Sequence, residues 1–189
     1  MQNKHFFIMK KGLFVGSFNP ITLSHQNIAS DLLKENICDY IYFLPVNSKK
    51  DDLIGIQERI NLINLVINSK EEVLNVYNYS ESGFFNYDVL KKIDGITHII
   101  MGSDLFLRFN TFKNYKDILN EYFIIVIDRN FDTKEYINKY YKDYLDKIIV
   151  IDKKYDGSSK LAKDDLKKGN NKYLDLKVLD YIKTNNLYN

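Results

Sequence analysis

The sequence predicts an α/β fold in which helices cover both faces of an open parallel sheet. Short apolar runs rich in β-branched and aromatic residues alternate along the chain with segments of helical periodicity. The predicted strands are apolar on both faces, which is typical of a parallel sheet between two layers of helices. No internal repeat and no Pro-, Gly- or Ser-rich linker interrupts this alternation, so we expect one domain over residues 1–189.

The elements follow one another in a regular order. β-branched and aromatic runs predict strands at residues 12–16, 40–45, 73–77, 98–101, 122–127 and 147–151. Apolar residues at helical spacing predict the helices between them, at residues 22–36, 57–69, 87–93, 115–120 and 134–145. Two further helices, at 160–168 and 174–184, follow a polar stretch at 153–159. We therefore predict a Rossmann-like core over residues 1–152 and a small C-terminal helical part over residues 153–189.

Composition narrows the functional classes. The formal net charge is +2 and basic residues are interleaved with acidic ones, so we expect no nucleic-acid partner. The apolar runs are far shorter than the about 20 residues of a transmembrane helix, and no signal peptide is indicated, so we expect no membrane partner. The single cysteine, Cys38, fits a reducing compartment. We expect a cytoplasmic protein with small-molecule partners; its oligomeric state, a homo-oligomer included, stays open.

The loop after the first strand carries the most informative pattern. Ligands of open parallel sheets bind beyond the carboxyl ends of the strands. Gly16 would let a ligand approach the backbone, and Ser17, the neighbouring N–H groups and the following helix N-terminus would attract phosphate oxygens. Thr22 and His25 are three residues apart and share the first helical turn. On spacing alone, however, a half-buried and hydrogen-bonded histidine is the more common explanation.

A resemblance favours the functional explanation. Residues 16–25, GSFNPITLSH, resemble the signature G-x-F-D/N-P-x-H/T-x-G-H of nucleotidyltransferases with a HIGH-like motif. Thr22 stands at the first histidine of that signature, and Ser24 replaces its glycine. The resemblance implies ATP contacts from Gly16, Ser17, Phe18, Thr22 and His25, with His25 and Thr22 acting in catalysis.

A second segment indicates one family among these nucleotidyltransferases. Residues 101–105 and 109–119 resemble the stretch G-A-D-N…F-H-x-W-K-x-W-x-E-I-L of nicotinate-nucleotide adenylyltransferases. The resemblance implies that Gly102 and Asp104 contact the nucleotide, with Asp104 serving the ribose hydroxyls or the reacting phosphate. Phe112 and Tyr115 stand where the family has tryptophans, one of which stacks on the pyridine ring. Without the resemblance, these aromatic residues would be assigned to the core.

Three further matches complete the implied site. Residues 157–163, GSSKLAK, resemble I-S-S-T-x-I-R, which implies that Ser158, Ser159 and Lys163 hold the triphosphate and that Lys163 assists catalysis. Residues 84–90 resemble S-Y-T-x-D-T-L and put Asn86 at a threonine near the pyridine substituent. Residues 43–46, with the lysines that follow, resemble a substrate-phosphate loop and imply a contact from Lys50.

The implied reaction is transfer of AMP from ATP to nicotinate mononucleotide, giving deamido-NAD and pyrophosphate in NAD biosynthesis. Mg²⁺ is expected on the nucleotide, because no cluster of His, Asp or Glu has the spacing of a protein metal site. Two alternatives stay open: another phosphorylated acceptor, such as nicotinamide mononucleotide or phosphopantetheine, and an ATP-binding relative with impaired catalysis. A piece of a class I aminoacyl-tRNA synthetase is disfavoured by the short length and weak charge.

Overall fold

The computed structural model describes residues 9–49, 52–128 and 133–188. Within them, six parallel strands form one sheet in the order β3-β2-β1-β4-β5-β6. This order confirms the predicted Rossmann-like sheet. The strands are β1 (Lys11–Gly16), β2 (Tyr40–Pro45), β3 (Glu71–Val73), β4 (His98–Gly102), β5 (Phe123–Ile127) and β6 (Ile148–Ile151).

Eight helices are described, and three short 3₁₀ turns lie among them. The helices are α1 (Leu23–Lys34), α2 (Ile56–Asn64), α3 (Tyr87–Lys91), α4 (Ser103–Phe106), α5 (Tyr115–Glu121), α6 (Thr133–Tyr140), α7 (Ser159–Lys167) and α8 (Leu176–Thr184). The 3₁₀ turns are Val76–Asn78, Phe109–Thr111 and Lys142–Lys147. No helix among the described residues combines the length and the apolar character needed to span a membrane.

The helix predicted at 57–69 ends at Asn64, and two other predicted elements end early, each because of one side chain. The strand predicted at 73–77 stops at Val73, since Oδ1 of Asn75 accepts the N–H of Tyr77 at 3.0 Å and starts a 3₁₀ turn. The helix predicted at 134–145 stops at Tyr140. Tyr141 leaves the helical conformation with a φ of −133° and packs its ring 5.1 Å from that of Phe106. Local periodicity does not encode either contact. The short helix α4 was not predicted.

The sheet separates two apolar cores. Along β1, Leu13 and Val15 pack on one face and Phe14 on the other, so each face buries apolar side chains as predicted for a two-sided sheet. The first core, on the Leu13 face, includes Phe106 and Phe109, which follow β4. The second core, on the Phe14 face, holds α1, α7 and α8. Val178, among others in α8, fixes the C-terminal part against that face.

The strand order places the site. β1 pairs with β2 on one side and with β4 on the other, so the order reverses beside β1. At such a reversal, the loops leaving the two central strands diverge and open a crevice at their carboxyl ends. Those ends are Gly16 and Gly102, the positions where the sequence motifs begin.

Asp31 of α1 ties the C-terminal part to the core. Its carboxylate accepts hydrogen bonds from Nζ of Lys153 at 2.5 Å and from the hydroxyl of Tyr155 at 3.0 Å. The hydrogen bond from Lys153 is the main cause that holds the pKa of Asp31 below its ordinary value. The half-exposed lysine limits the stabilisation to about 1 kcal/mol.

Asp31→Asn should therefore lower the free energy of unfolding by about 1 kcal/mol near pH 7. A depressed folded-state pKa stabilises above the unfolded pKa of about 3.9, and this is lost as the pH falls through the folded value. Urea unfolding of the variant and the wild type from about pH 7 to pH 2 tests this. Asp152→Asn is the control, because that carboxylate is 78% exposed. A deficit that persists at low pH would contradict the assignment.

Candidate active site

The turn between β1 and α1 holds the two predicted catalytic partners, Thr22 and His25. Nδ1 of His25 accepts the main-chain N–H of Thr22 at 3.1 Å, and Oγ1 of Thr22 lies 2.8 Å from the same nitrogen. A main-chain N–H can only donate, so Nδ1 carries a lone pair and the proton of the neutral ring is assigned to Nε2. Helix capping thus gives His25 a tautomer that donates from Nε2.

Packing fixes the plane of the same ring. His25 is 8% exposed, and its ring centroid lies 6.0 Å from that of Phe14 and 5.2 Å from that of Phe18. Thr22 is fully buried, so in this conformation it acts on a ligand only through His25. Ser24, at the family's glycine position, is also buried.

Gly16 makes room for an aromatic ring of the core. A Cβ at this position would lie 3.1 Å from Cζ of Phe18, closer than an ordinary contact. The predicted approach of ATP to the backbone of Gly16 stays a prediction. Phe18 is 1% exposed with a φ of 45°, so its side chain belongs to the core. The predicted ATP contact of Phe18 stays a prediction for its main chain alone.

The start of α1 offers fewer free amides than the sequence led us to expect. The N–H of Thr22 donates to His25, and the N–H of Leu23 donates to the carbonyl of Tyr173 at 3.0 Å. Both donors are satisfied within the protein, so a phosphate at this turn would need other N–H or O–H donors.

An open cavity of about 240 Å³ lies between this turn and α7. This volume is below the roughly 300–1,000 Å³ of sites for whole drug-sized ligands, so it suits the phosphate chain of a nucleotide. Three lysines and two aspartates give its lining a net positive charge. The lining residues are Ser17, Asn19, Asp52, Ser159, Lys160, Lys163, Asp164 and Lys167.

Lys163, the predicted phosphate-binding cation, lies in this cavity wall. Its side chain is 13% exposed, and its ammonium forms an ion pair with the carboxylate of Asp52. The pair connects α7 to the segment before α2. A bound phosphate would therefore share Lys163 with Asp52 or displace that carboxylate.

The predicted serine pair is brought to the same turn. Oγ of Ser158 caps α7 by accepting the N–H of Leu161 at 3.2 Å. Oγ of Ser159 donates to the carbonyl of Pro20 at 2.8 Å and lines the cavity. Both hydroxyls thus make protein contacts, and Ser159 in particular locks α7 onto the β1–α1 turn.

The predicted acceptor residues surround the end of β4. Gly102 ends that strand, and Asp104 is exposed in the first turn of α4. Asn86 caps α3, because its Oδ1 accepts the N–H of Val89 at 2.9 Å. The cap uses one lone pair of the Asn86 side-chain carbonyl, so its NH₂ group, with two N–H donors, offers a ligand more hydrogen bonds than its oxygen does.

Phe112 and Tyr115 lie half-buried around Phe109, with ring centroids 5.6 and 6.3 Å from it. Both pack against the first core, whereas Phe14 and Phe18, which contact His25, belong to the second core. The two groups of predicted site residues thus lie on opposite faces of the sheet. Lys50, the remaining predicted contact, lies outside the described residues.

Asn19 organises the cavity rim, a role that the sequence analysis did not assign. Its Nδ2 donates to the carbonyl of Asp52 at 2.9 Å, and its Oδ1 accepts the N–H of Ile54 at 3.2 Å and the hydroxyl of Tyr188 at 2.9 Å. Burial raises the pKa of Tyr188, so this phenol stays a donor. These partners lie up to 169 positions away, and no local pattern reveals them.

Arg59 is a second residue that the sequence analysis missed. It is 1% exposed and donates to carbonyls that include that of Ser17. A signal for it does exist in the sequence: Arg59 interrupts the apolar stripe of α2 formed by Ile56, Ile60 and Ile63. An arginine at a core-facing position is rare unless its donors are satisfied.

Comparison with known proteins identifies the family. A family model described as cytidylyltransferase-like matches residues 13–164. The chain belongs to the cytidylyltransferase-like family. The match spans both the β1–α1 turn and most of α7, so it includes both walls of the cavity. It confirms the predicted nucleotidyltransferase.

Individual members of this family are also similar to the chain. The probable nicotinate-nucleotide adenylyltransferase of Fusobacterium nucleatum is 28% identical over 80% of this chain and 84% of its own length. That of Azobacteroides pseudotrichonymphae is 30% identical, over 69% and 74%. The structure of Plasmodium falciparum nicotinic acid mononucleotide adenylyltransferase complexed with NaAD matches with a TM-score of 0.77 and 26% identity, covering 95% of this chain and 97% of that one.

The role of Gly16 can be tested by stability. Gly16→Ala should lower the free energy of unfolding by about 1–3 kcal/mol, because the new methyl group forces the Phe18 ring to move. Urea denaturation measures the change. Gly55→Ala is the matched control, since a Cβ there meets nothing within 4 Å; we expect a change below about 1 kcal/mol. Equal stability of the two variants would show that the ring does not depend on Gly16.

Proposed function

We propose that the chain transfers AMP from ATP to nicotinate mononucleotide, forming deamido-NAD and pyrophosphate in NAD biosynthesis. The names of the bacterial relatives and the NaAD complex of the Plasmodium enzyme support this acceptor. Each of these proteins is matched over two thirds or more of its own length. The agreement therefore covers a whole catalytic domain and not an isolated motif.

One observation carries the proposal: His25, with its proton assigned to Nε2, lies in the first turn of α1, directly after the loop whose Ser17 and Asn19 line a lysine-rich cavity, although His25 itself is not one of the lining residues. Transfer of a nucleotidyl group needs hydrogen-bond donors and cations around a phosphate chain, held in fixed positions. The turn supplies the donor and α7 supplies the cations. The carboxyl end of an open sheet is also where such ligands bind.

The reaction needs no covalent enzyme intermediate. An oxygen of the acceptor's 5′-phosphate attacks the α-phosphorus of ATP, the bond from that phosphorus to its bridging oxygen breaks, and pyrophosphate leaves. The protein contributes positioning and charge stabilisation. His25 donates from Nε2 to phosphate oxygens while Thr22 holds its ring, and Lys163 neutralises charge on the departing pyrophosphate. Ser17, Ser158 and Ser159 belong to the loops that hold the triphosphate.

The chemistry of Asn86 favours nicotinate over nicotinamide as the acceptor base. The α3 cap already uses one lone pair of its Oδ1, whereas its NH₂ has two N–H donors for the pyridine substituent. A carboxylate accepts hydrogen bonds and never donates, so it suits this donor. Phe112 and Tyr115 supply aromatic faces for an electron-poor ring. Gly102 and Asp104 follow β4, the strand next to β1, and are the residues that would meet a ribose.

A divalent cation fits a site of this kind only on the nucleotide. Among the described residues, no group of three or more His, Cys, Asp or Glu side chains could hold a metal. Mg²⁺ is commonly bound through one or two carboxylates together with substrate phosphates, and Asp52 and Asp164 are the carboxylates that line the cavity. Such an ion supplies charge neutralisation between phosphate oxygens.

The proposal places the chain in the cytoplasm with small molecules as its partners. ATP and a mononucleotide are the substrates that the family and the cavity support. Burial raises the pKa of Cys38 to about 12, so its thiol stays protonated and unreactive at neutral pH. An inert lone thiol is compatible with a reducing compartment.

The role of His25 is tested by turnover. His25→Ala should lower kcat at least about 100-fold, the scale of losing one positioned hydrogen-bond donor to a developing charge. Pyrophosphate release from ATP and nicotinate mononucleotide is the assay. His98→Gln is the control, because His98 begins β4 at the end opposite Gly102 and should leave kcat within about 3-fold. A folded His25→Ala protein with near-normal turnover would refute the role.

The acceptor is tested by a substrate panel. Wild-type kcat/KM should be highest for nicotinate mononucleotide, followed by nicotinamide mononucleotide, with phosphopantetheine lowest. Asn86→Asp keeps a capping oxygen but replaces the NH₂ donor by an anionic oxygen. It should lower kcat/KM for nicotinate mononucleotide about 10-fold or more and change the nicotinamide value less. Asn75→Asp, at a similar cap, is the matched control. Equal losses on both acceptors would count against this assignment of Asn86.

A further inference from the structure

Arg59 in α2 is the largest side chain that the described structure buries completely. Its guanidinium donates four hydrogen bonds to protein oxygens. Nε donates to the carbonyl of Ile54 at 3.1 Å, and Nη1 donates to the carbonyls of Ser17 and Val46 at 2.9 and 2.8 Å. Nη2 donates to Oδ1 of Asn47 at 3.0 Å. Every nitrogen of the planar, fork-shaped guanidinium thus donates at least one hydrogen bond to the protein.

These contacts join three segments around the nucleotide cavity. Ser17 lies in the β1–α1 turn and lines the cavity. Val46 and Asn47 directly follow β2. Ile54 precedes α2, in the segment whose Asp52 pairs with Lys163 across the cavity. Because the guanidinium is rigid, it fixes the spacing of the three segments.

The positive charge of Arg59 is itself informative. All four acceptors are neutral amide oxygens, and no carboxylate of the described residues forms an ion pair with this side chain. Burial lowers the pKa of the guanidinium, but arginine stays protonated in proteins. An apolar side chain could fill the same volume without the desolvation of a charge. A buried charge is also screened less by salt than the exposed lysines of α7.

Asn47 extends the network toward the acceptor side. Its N–H donates to the carbonyl of Gly83 at 2.7 Å, and its Nδ2 donates to the hydroxyl of Tyr77 at 2.8 Å and to the carbonyl of Ser82 at 3.1 Å. Gly83 has a φ of +69°, and a Cβ there would lie 2.5 Å from Nδ2 of Asn47. The segment that leads to Asn86 is therefore packed directly on Asn47.

We propose that Arg59 and Asn47 are positioning residues for both substrates. Arg59 fixes the Ser17 turn for ATP and adds a buried positive potential beneath its phosphates. Through Asn47, it also fixes the segment before Asn86 for the acceptor. Two cores on opposite faces of the sheet are thus connected by one polar network. This inference rests on the proposed function for the identity of the two substrates.

Four variants separate these roles from simple loss of stability. Arg59→Lys keeps the charge without the fork, Arg59→Gln removes both, and Asn47→Ala removes the link to Gly83. Leu62→Ala is the control, because Leu62 is fully buried in the same helix within the second core. The measurements are the melting temperature, kcat, and KM for ATP and for nicotinate mononucleotide.

We expect kcat to fall about 10-fold in both Arg59 variants, because the turn loses its fixed position. KM for ATP should rise about 10-fold in Arg59→Gln and less than about 3-fold in Arg59→Lys. Asn47→Ala should raise KM for nicotinate mononucleotide about 10-fold and leave KM for ATP within about 2-fold. Leu62→Ala should lower the melting temperature with both KM values within about 2-fold of wild type.

Arg59→Gln with the KM values of the Leu62→Ala control would overturn the proposal. If Arg59→Gln does not fold, the other two variants decide: an unchanged kcat in Arg59→Lys with an unchanged acceptor KM in Asn47→Ala overturns it.

A wild-type protein that releases no pyrophosphate with any acceptor would refute the proposed function instead. Calorimetry with pyrophosphate then tests the inference. Affinity about 10-fold weaker in Arg59→Gln than in Arg59→Lys supports it, and equal affinity overturns it.

Discussion

The hydrogen bond from the Thr22 N–H to Nδ1 of His25 is the constraint on which the site depends. The bond satisfies a helix-terminal amide and, at the same time, assigns the ring proton to Nε2. The ring of Phe18 packs against the imidazole of His25 from the core side, and the absence of a side chain at Gly16 leaves space for the Phe18 ring. A single capped turn thereby fixes both the plane and the tautomer of the imidazole. A donor held in this way is already oriented before any substrate arrives, which is the condition for electrostatic stabilisation.

The predicted substrate residues lie on opposite faces of the sheet, and the buried polar network of Arg59 connects the segments that carry them. The His25 turn rests on the second core, while Phe112 and Tyr115 rest on the first. Apolar packing on one face cannot set positions on the other, because the sheet lies between them. The chain from Ser17 through Arg59 and Asn47 crosses this gap at the strand ends with directional bonds. In-line transfer between two substrates requires that both are held in fixed positions relative to each other.

The sequence was sufficient for the sheet and for residues on both walls of the cavity, but not for their partners. Five of the six strands lie within one residue of their predicted bounds, because two-sided burial leaves a strong apolar signal. The motifs likewise brought Ser17 and Lys163 to one cavity. Lys163 pairs with Asp52, and the N–H of Leu23 donates to the carbonyl of Tyr173. Both contacts depend on how the C-terminal part folds back onto the core, which local sequence periodicity does not encode. The buried Arg59 could have been recognised from its place in an apolar stripe.

Under the proposed function, Lys163 and Arg59, two of the cations around the cavity, act differently during the reaction. The family motif has an arginine where this chain has Lys163, and an ammonium on a flexible stem lacks the planar fork. Under the proposed function, Lys163 exchanges Asp52 for a phosphate and follows the leaving pyrophosphate as it moves. Arg59 cannot move, because four hydrogen bonds hold it. The fixed charge of Arg59 is in place when the nucleotide binds, whereas the mobile ammonium of Lys163 moves to the oxygens on which negative charge develops. Under the proposed function, Arg59 keeps a fixed cation beside the Ser17 turn while Lys163 changes its partner.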